Sequence, residues 1–340
     1  MRRAGACAAL GVALLLSACA TAEPARPGLP DAIAVSFKRV ALAPSDSTQT
    51  RVGQLIYRGG IEIASADARF GGWSGLTVSG DGTEMLSQSD EAHFLRAHLI
   101  YDAKGDLAGI DDAQLADMRG LDGQIIHDKE EGDAEGLAAL TPAGPDGAVA
   151  VSFERDDRVW LYDLSHGLEA TPAPFAMPGA VRSLPFNLGL ESLTMFGAGN
   201  LLAVGEVPVP PKNEHPAWLV PYPGGTTSPD GQLWVKHHAP YEISDAAVGP
   251  DGDLYLLERH YFGPVRGIVA AVRRIPKDEV KPGAELDGAE IAEFTLHESI
   301  DNMEGLSLRR ASDGKTFLYM ISDDNYSALQ RTLLLMFALP

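Results

Sequence analysis

Short apolar runs separated by Gly- and Asp-rich turns recur along most of the chain, and one arrangement of them is spelled five times. Asp133-Ala134-Glu135-Gly136-Leu137-Ala138 leads through the turn Asp146-Gly147 to an apolar run ending at Ser152-Phe153-Glu154-Arg155. Ser74-Gly75-Leu76 leads through Asp81-Gly82 to Ser89-Asp90, and Glu191-Ser192-Leu193 through Gly199-Asn200 to Gly205-Glu206. Asp245-Ala246-Ala247 leads through Asp251-Gly252 to Glu258-Arg259, and Glu304-Gly305-Leu306 through Asp313-Gly314 to Ser322-Asp323. The copies begin at 74, 135, 191, 245 and 304, a spacing of 54 to 61 residues. Hairpins repeated at that period predict an all-β fold, a β-propeller of five blades. A sixth, degenerate blade could hide in the inserts.

Third strands are legible at Phe94 to Tyr101, Arg158 to Leu164, Ala217 to Tyr222 and Val269 to Ile275. After the last hairpin only Thr332 to Leu339 reads as a strand, so the final blade lacks an outer strand. Alternating apolar residues make Ile33 to Leu42 and Gln54 to Ala64 strands as well, and an N-terminal strand in the last blade would close the ring. Three inserts interrupt the pattern. Asp106 to Asp117 is expected as a short helix, Val207 to Glu214 as a Pro-rich surface loop, and Pro276 to Leu286 as a second excursion.

Residues 1–18 have the basic start, apolar centre and small-residue end of an export signal, and the apolar run is too short to span a bilayer. Leu16-Ser17-Ala18-Cys19 resembles a bacterial lipobox, which implies cleavage before Cys19 and its lipidation. Ala20 after it implies, by the same resemblance, the outer membrane of the cell envelope. Residues 19–31 then read as the lipidated Cys and a tether, and 32–340 as the propeller domain. With Cys7 and Cys19 the only cysteines, no disulfide is available to the fold. A net charge of −20 disfavours nucleic acid and anionic lipid surfaces as partners and favours cations.

In a β-hairpin the start of the first strand and the end of the second lie together at one rim. The repeats therefore bring ten positions to one mouth of the ring: Ser74, Glu135, Glu191, Asp245 and Glu304 from strand starts, with Asp90, Glu154, Glu206, Glu258 and Asp323 from strand ends. Nine of the ten are acidic. Converging carboxylates must hold protons, pair with cations or share a metal ion. Oxygen ligands without Cys or His suit Ca²⁺, or Mg²⁺, better than Zn²⁺. Arg155 and Arg259 are the candidate substrate-binding groups. The competing reading has each acid pairing with an adjacent Arg or with backbone N–H groups and so stitching the blades together.

Gly71-Gly72-Trp73-Ser74-Gly75-Leu76, Asp133-Ala134-Glu135-Gly136-Leu137-Ala138, Ser152-Phe153-Glu154-Arg155, Asn187-Leu188-Gly189-Leu190-Glu191-Ser192-Leu193 and Asn302-Met303-Glu304-Gly305-Leu306 resemble the signature of the phytase-like domain family. That family is described by an esterase-like activity of phytase. The resemblance spans about residues 50 to 338. It implies a propeller with a hydrolytic role on an ester or phosphoester, with Ca²⁺ as the ion. Polyphosphate substrates need a basic clamp, and here only Arg155, Arg259, Lys236, His237 and His238 are on offer.

No Gly-x-Ser-x-Gly elbow exists, and Ser74 opens a strand rather than a strand-to-helix turn, which leaves it the non-acidic member of the rim. His237-His238 and Arg259-His260 lack a third ligand at a zinc spacing. Trp73, Trp160, Trp218 and Trp234 read as blade packing. Two other readings stand beside a metal-dependent hydrolase: a non-catalytic binding module that holds a protein or envelope ligand, and a lactonase-like propeller hydrolase with one metal.

Overall fold

The computed structural model describes residues 30–141, 144–197, 199–224, 231–263 and 266–340. The expected export signal, Cys19 and most of the expected tether lie outside the described residues. Five mainly antiparallel sheets make up the domain, and their innermost strands, Trp73–Val78, Ala134–Ala139, Leu190–Phe196, Glu242–Val248 and Asn302–Arg310, contact one another in a closed ring. The protein is a five-bladed β-propeller, and the described residues of the inserts form no sixth blade.

The apolar residues explain why the sheets pack this way. Along Asn200–Gly205, Leu201 and Ala203 point into the wedge shared with blade 2, and Leu202 and Val204 into the wedge shared with blade 4. A strand buried on both faces reads as a continuous apolar run, which is how the second strand of each hairpin appears in the sequence. The core is accordingly divided into five apolar wedges, one between each pair of neighbouring blades. Trp73 and Trp218 are buried in two of them.

Gly82, Gly252 and Gly314 adopt positive φ of 81°, 88° and 87°, as tight Asp-Gly hairpins demand. Blade 2 turns differently. Its 3₁₀ segment Gly144–Asp146 places the positive φ at Gly144, and in blade 3 Gly197 takes that role.

The segment expected as a helix, Asp106 to Asp117, is instead the strand Leu107–Asp117, the fourth of blade 1. Leu107, Ile110, Ala113 and Leu115 are buried against the wedge, while Asp111 and Asp112 bulge outward and Asp112 has φ 47°. The bulge breaks the two-residue alternation and imitates a helical spacing. The excursion after Pro276 returns as Glu285–Leu286, which pairs in parallel with Gln232–Val235 of blade 3. Val207 to Glu214 is a loop closed by a Val209–Glu214 bridge.

Blade 5 contains both ends of the domain. Leu55–Ser65 pairs with the C-terminal strand Thr332–Ala338, and Val35–Arg39 pairs outside it. Asp31–Ala32 crosses to the outer strand of blade 1. Arg69 holds this crossing with contacts to Asp31 at 2.8 Å, Asp67 at 2.9 Å and Asp117 at 3.5 Å.

Candidate functional site

Each innermost strand carries one irregularity near its start, and it aims the rim side chains. The pairing slips at Ser74, at Glu135-Gly136, at Glu191, at Ser244 and at Glu304, so one residue per blade lies outside the ladder. Bulges re-aim a side chain that a regular strand would send into the wedge. The residue after the bulge faces the neighbouring inner strand. At Gly136 a Cβ would stand 2.9 Å from the Glu191 carbonyl oxygen and from the Leu193 nitrogen, which is why Gly follows Glu in this copy. Opposite the bulges, Asp90, Glu154 and Glu206 donate their backbone N–H to Gly72, Asp133 and Gly189, and Arg259 and Asp323 pair with Glu242 and Asn302.

The consequence is a cavity of about 300 Å³ at the axial mouth. Eight carboxylates line it: Asp90, Asp133, Glu135, Glu154, Glu191, Glu206, Glu304 and Asp323. Three cationic side chains face them, Lys129, Arg155 and Arg259. Lys129 Nζ lies 2.6 Å from Asp90 and 2.9 Å from Asp133, and Arg155 Nε 2.6 Å from Asp133. Arg259 Nη2 is 3.1 Å from Glu304 and 3.9 Å from Glu206. Its Nε is buried and meets no hydrogen-bond acceptor among the described residues.

Four of the eight acids, Glu135, Glu154, Glu191 and Asp323, therefore have no cation beside them, and the acids outnumber the cations by five. Ligand oxygens of Asp133, Glu135 and Glu154 lie within 4.8 Å of one another, as do those of Glu154, Glu191 and Glu206. The protein answers part of this with donors: Gly189 N–H to Glu154 at 2.8 Å, Asn325 N–H to Asp323 at 2.6 Å, and Asn302 Nδ2 to Glu304 at 2.5 Å. A third acidic group, Asp111 and Asp112 with His98, sits in solvent on the outside of blade 1.

Burial, reinforced by repulsion from Glu304 and Glu154, pushes the Glu135 carboxyl well above the ordinary carboxylate range. Glu191 is raised likewise, by burial and then by Glu135 and Glu206. Burial also lifts Glu206 to about 8 against the pull of Arg259, and Asp323 to about 8 with help from Glu304. Asp90, Glu154 and Glu304 are raised as well, each first by burial. Among the described residues the mouth thus gathers more carboxyl groups than its own cations balance, and burial with mutual repulsion makes several of them keep their protons above the ordinary carboxylate range.

Of the nine acids expected at the rim, seven line the cavity. Asp245 and Glu258 do not. Blade 4 bulges at Ser244, one position before Asp245, so Asp245 takes the place that Gly136 and Gly305 hold in their blades. There its carboxylate accepts the Leu306 N–H at 2.6 Å and the Ala246 N–H at 2.7 Å, pinning blade 4 to blade 5. Glu258 points into the wedge and binds Arg273 at 2.8 and 2.6 Å. The rim position of that strand belongs to Arg259. Ser74 and both expected arginines line the mouth. Lys236 and His238 do not, being paired with Asp287 at 2.8 and 2.9 Å.

Lys129 was not foreseen at the mouth. It opens the short helix Lys129–Gly132, whose cap is the Asp128 side chain accepting the Glu130 N–H. The helix precedes the repeat by only a few residues, in a run of mixed charge that carries no periodic signal.

The sequence profile of the phytase-like family, described as esterase-like activity of phytase, matches residues 68–326. None of the curated proteins matches the chain in sequence. Solved structures similar to it include an endosialidase of phage phi92 at 9% identity, with 90% of this chain and 58% of that one covered and a TM-score of 0.41. Another is the PQQ-bound aldose sugar dehydrogenase of Streptomyces coelicolor, at 14% identity, 91% and 99% coverage and a TM-score of 0.38. The WD40 repeats of RRP9 are similar at 10% identity, 88% and 100% coverage and a TM-score of 0.37.

Proposed function

The chain belongs to the phytase-like family, and we propose that its acidic mouth binds a hard divalent cation, Ca²⁺ or Mg²⁺, and hydrolyses an ester or phosphoester there. One observation carries this reading: eight carboxylates converge on the cavity against three cationic side chains. The donor set fits such an ion, being all oxygen, anionic and crowded within 4.8 Å in two groups that share Glu154. Asp133, Glu135, Glu154, Glu191 and Glu206 would hold it. A bound divalent ion supplies Lewis acidity toward the ester or phosphoryl oxygen and lowers the pKa of water.

The chain's own groups have separate work. Lys129 and Arg155 fix the Asp133 carboxylate from two sides at 2.9 and 2.6 Å. Arg259 balances Glu304 and lines the mouth, where its guanidinium can meet a substrate oxyanion. In the ion-free mouth Glu206, raised to about 8 by burial, holds its proton at neutral pH and would release it on taking up the ion. Water adds to the phosphorus or carbonyl carbon, the bond to the leaving oxygen breaks, and that oxygen takes up a proton.

The test is thermal unfolding of the chain from residue 24 onward in excess EDTA and then with Ca²⁺ or Mg²⁺, alongside turnover of p-nitrophenyl phosphate and acetate. An ion at a hundredfold over its Kd adds about 2.7 kcal/mol of stability. Glu154→Gln, which sits in both carboxylate groups, is expected to cut the metal-dependent rise and the turnover together. The absence of both a shift and turnover in the unaltered chain would sink the hydrolase and leave a binding module with a mouth of structural acids.

A further inference from the structure

A second cavity, of about 810 Å³, opens beside the mouth between blades 4 and 5. Arg259, Glu304 and Asn325 line both spaces, so the two are continuous. The character of the wall changes across this boundary. Tyr261, Ile268, Leu296 and Leu329 line the cleft, and Tyr261, Leu296 and Leu329 are 59, 60 and 94% exposed. Its charged groups beyond the shared pair are Asp301 and Arg331, which bind each other at 3.3 Å.

Large apolar side chains left in water concentrate on this face of the ring. Nine are exposed among the described residues, and besides the three in the cleft, Leu188 lines the mouth, Phe186 lies under the Arg155 guanidinium at 5.9 Å, and Tyr326 packs on Gly71 and Gly72. Six of nine around one opening is a patch of the kind that marks recognition of an apolar ligand. Charge points the same way. With its acids ionised the mouth carries five more negative than positive groups, and even two bound divalent ions would leave it at −1. A polyanion finds no complement there.

Resting on the hydrolase reading above, we infer that the substrate is an ester with few charges and a bulky apolar aryl or acyl group, its oxyanion on the Arg259 guanidinium, which lines both spaces, and its apolar part in the cleft between blades 4 and 5. Inositol hexakisphosphate, a polyanion, is then a poor substrate on grounds of charge. The cleft has the volume for a group of naphthyl size.

The experiment compares 2-naphthyl phosphate, glycerol 2-phosphate and inositol hexakisphosphate in Ca²⁺, by turnover and by calorimetric binding. Leu296→Asp/Leu329→Asp is the variant, placed at two exposed side chains whose change spares the core. The naphthyl ester is expected to be favoured over the glycerol ester by at least tenfold in kcat/KM, and the double variant to remove that preference mainly through KM. Naphthyl phosphate binding that the double variant weakens, without turnover of any ester, would keep the cleft and sink the hydrolase. Metal-dependent turnover with no naphthyl preference, or with inositol hexakisphosphate the best substrate, would keep the hydrolase and overturn the cleft. No binding of the naphthyl ester would overturn it too.

Discussion

The Glu258 carboxylate accepts two hydrogen bonds from Arg273, and both side chains are 1% exposed. The pair lies inside a wedge, where removing one partner leaves a charge that water cannot reach. Arg273→Ala is therefore expected to destabilise the domain by about 3–5 kcal/mol in denaturant unfolding. A loss below 1 kcal/mol would mean that the carboxyl is protonated or solvated there. Single positions also mark the limit of what the sequence discloses. Glu258-Arg259 repeats Glu154-Arg155 in letters, yet in blade 4 it is Arg259 that reaches the mouth, because the bulge falls at Ser244. Residue types cannot disclose a one-residue slip, and a slip of one sends a side chain to the opposite face. In blades 1, 2, 3 and 5 the acids stand where the repeat predicts.

At the level of strands, the apolar runs and Gly-containing turns were legible because burial on both faces forces continuous hydrophobicity. The strand Leu107–Asp117 was not, since its bulge at Asp111 and Asp112 interrupts the alternation. Gly136 shows how closely the inner strands approach. Its absent Cβ would meet backbone atoms of blade 3 at 2.9 Å, and backbone cannot swing aside as a side chain can. Gly136→Ala is expected to cost about 1–3 kcal/mol through overpacking. Because Glu135 is the preceding residue, the same variant should weaken Ca²⁺ binding by titration. A variant with unchanged stability and affinity would show that the inner ring can widen.

Taken as a whole molecule, the ring gathers like charges at one end of its axis. Glu206 and Asp323 titrate at about 8 in the folded, metal-free chain, chiefly through burial, whereas such groups ionise near 4 when unfolded. Between those values the folded state holds more protons. The stability these groups contribute is thus complete below about pH 4 and is lost as pH rises through 8. In EDTA the melting temperature should fall from pH 5 to pH 8, and Ca²⁺ should flatten that decline. A metal-free profile already flat would mean that the acids are balanced within the protein.

The last blade takes its fourth strand, Leu55–Ser65, from the start of the domain and its third strand, Thr332–Ala338, from the end. A growing chain therefore carries an unpaired strand edge from Leu55–Ser65 onward, and the ring can shut only once Thr332–Ala338 has emerged. Contacts of such long sequence separation make for slow folding and a long exposure to strand-edge aggregation. The same seam lets the chain stay open and threadable until that one strand is in place.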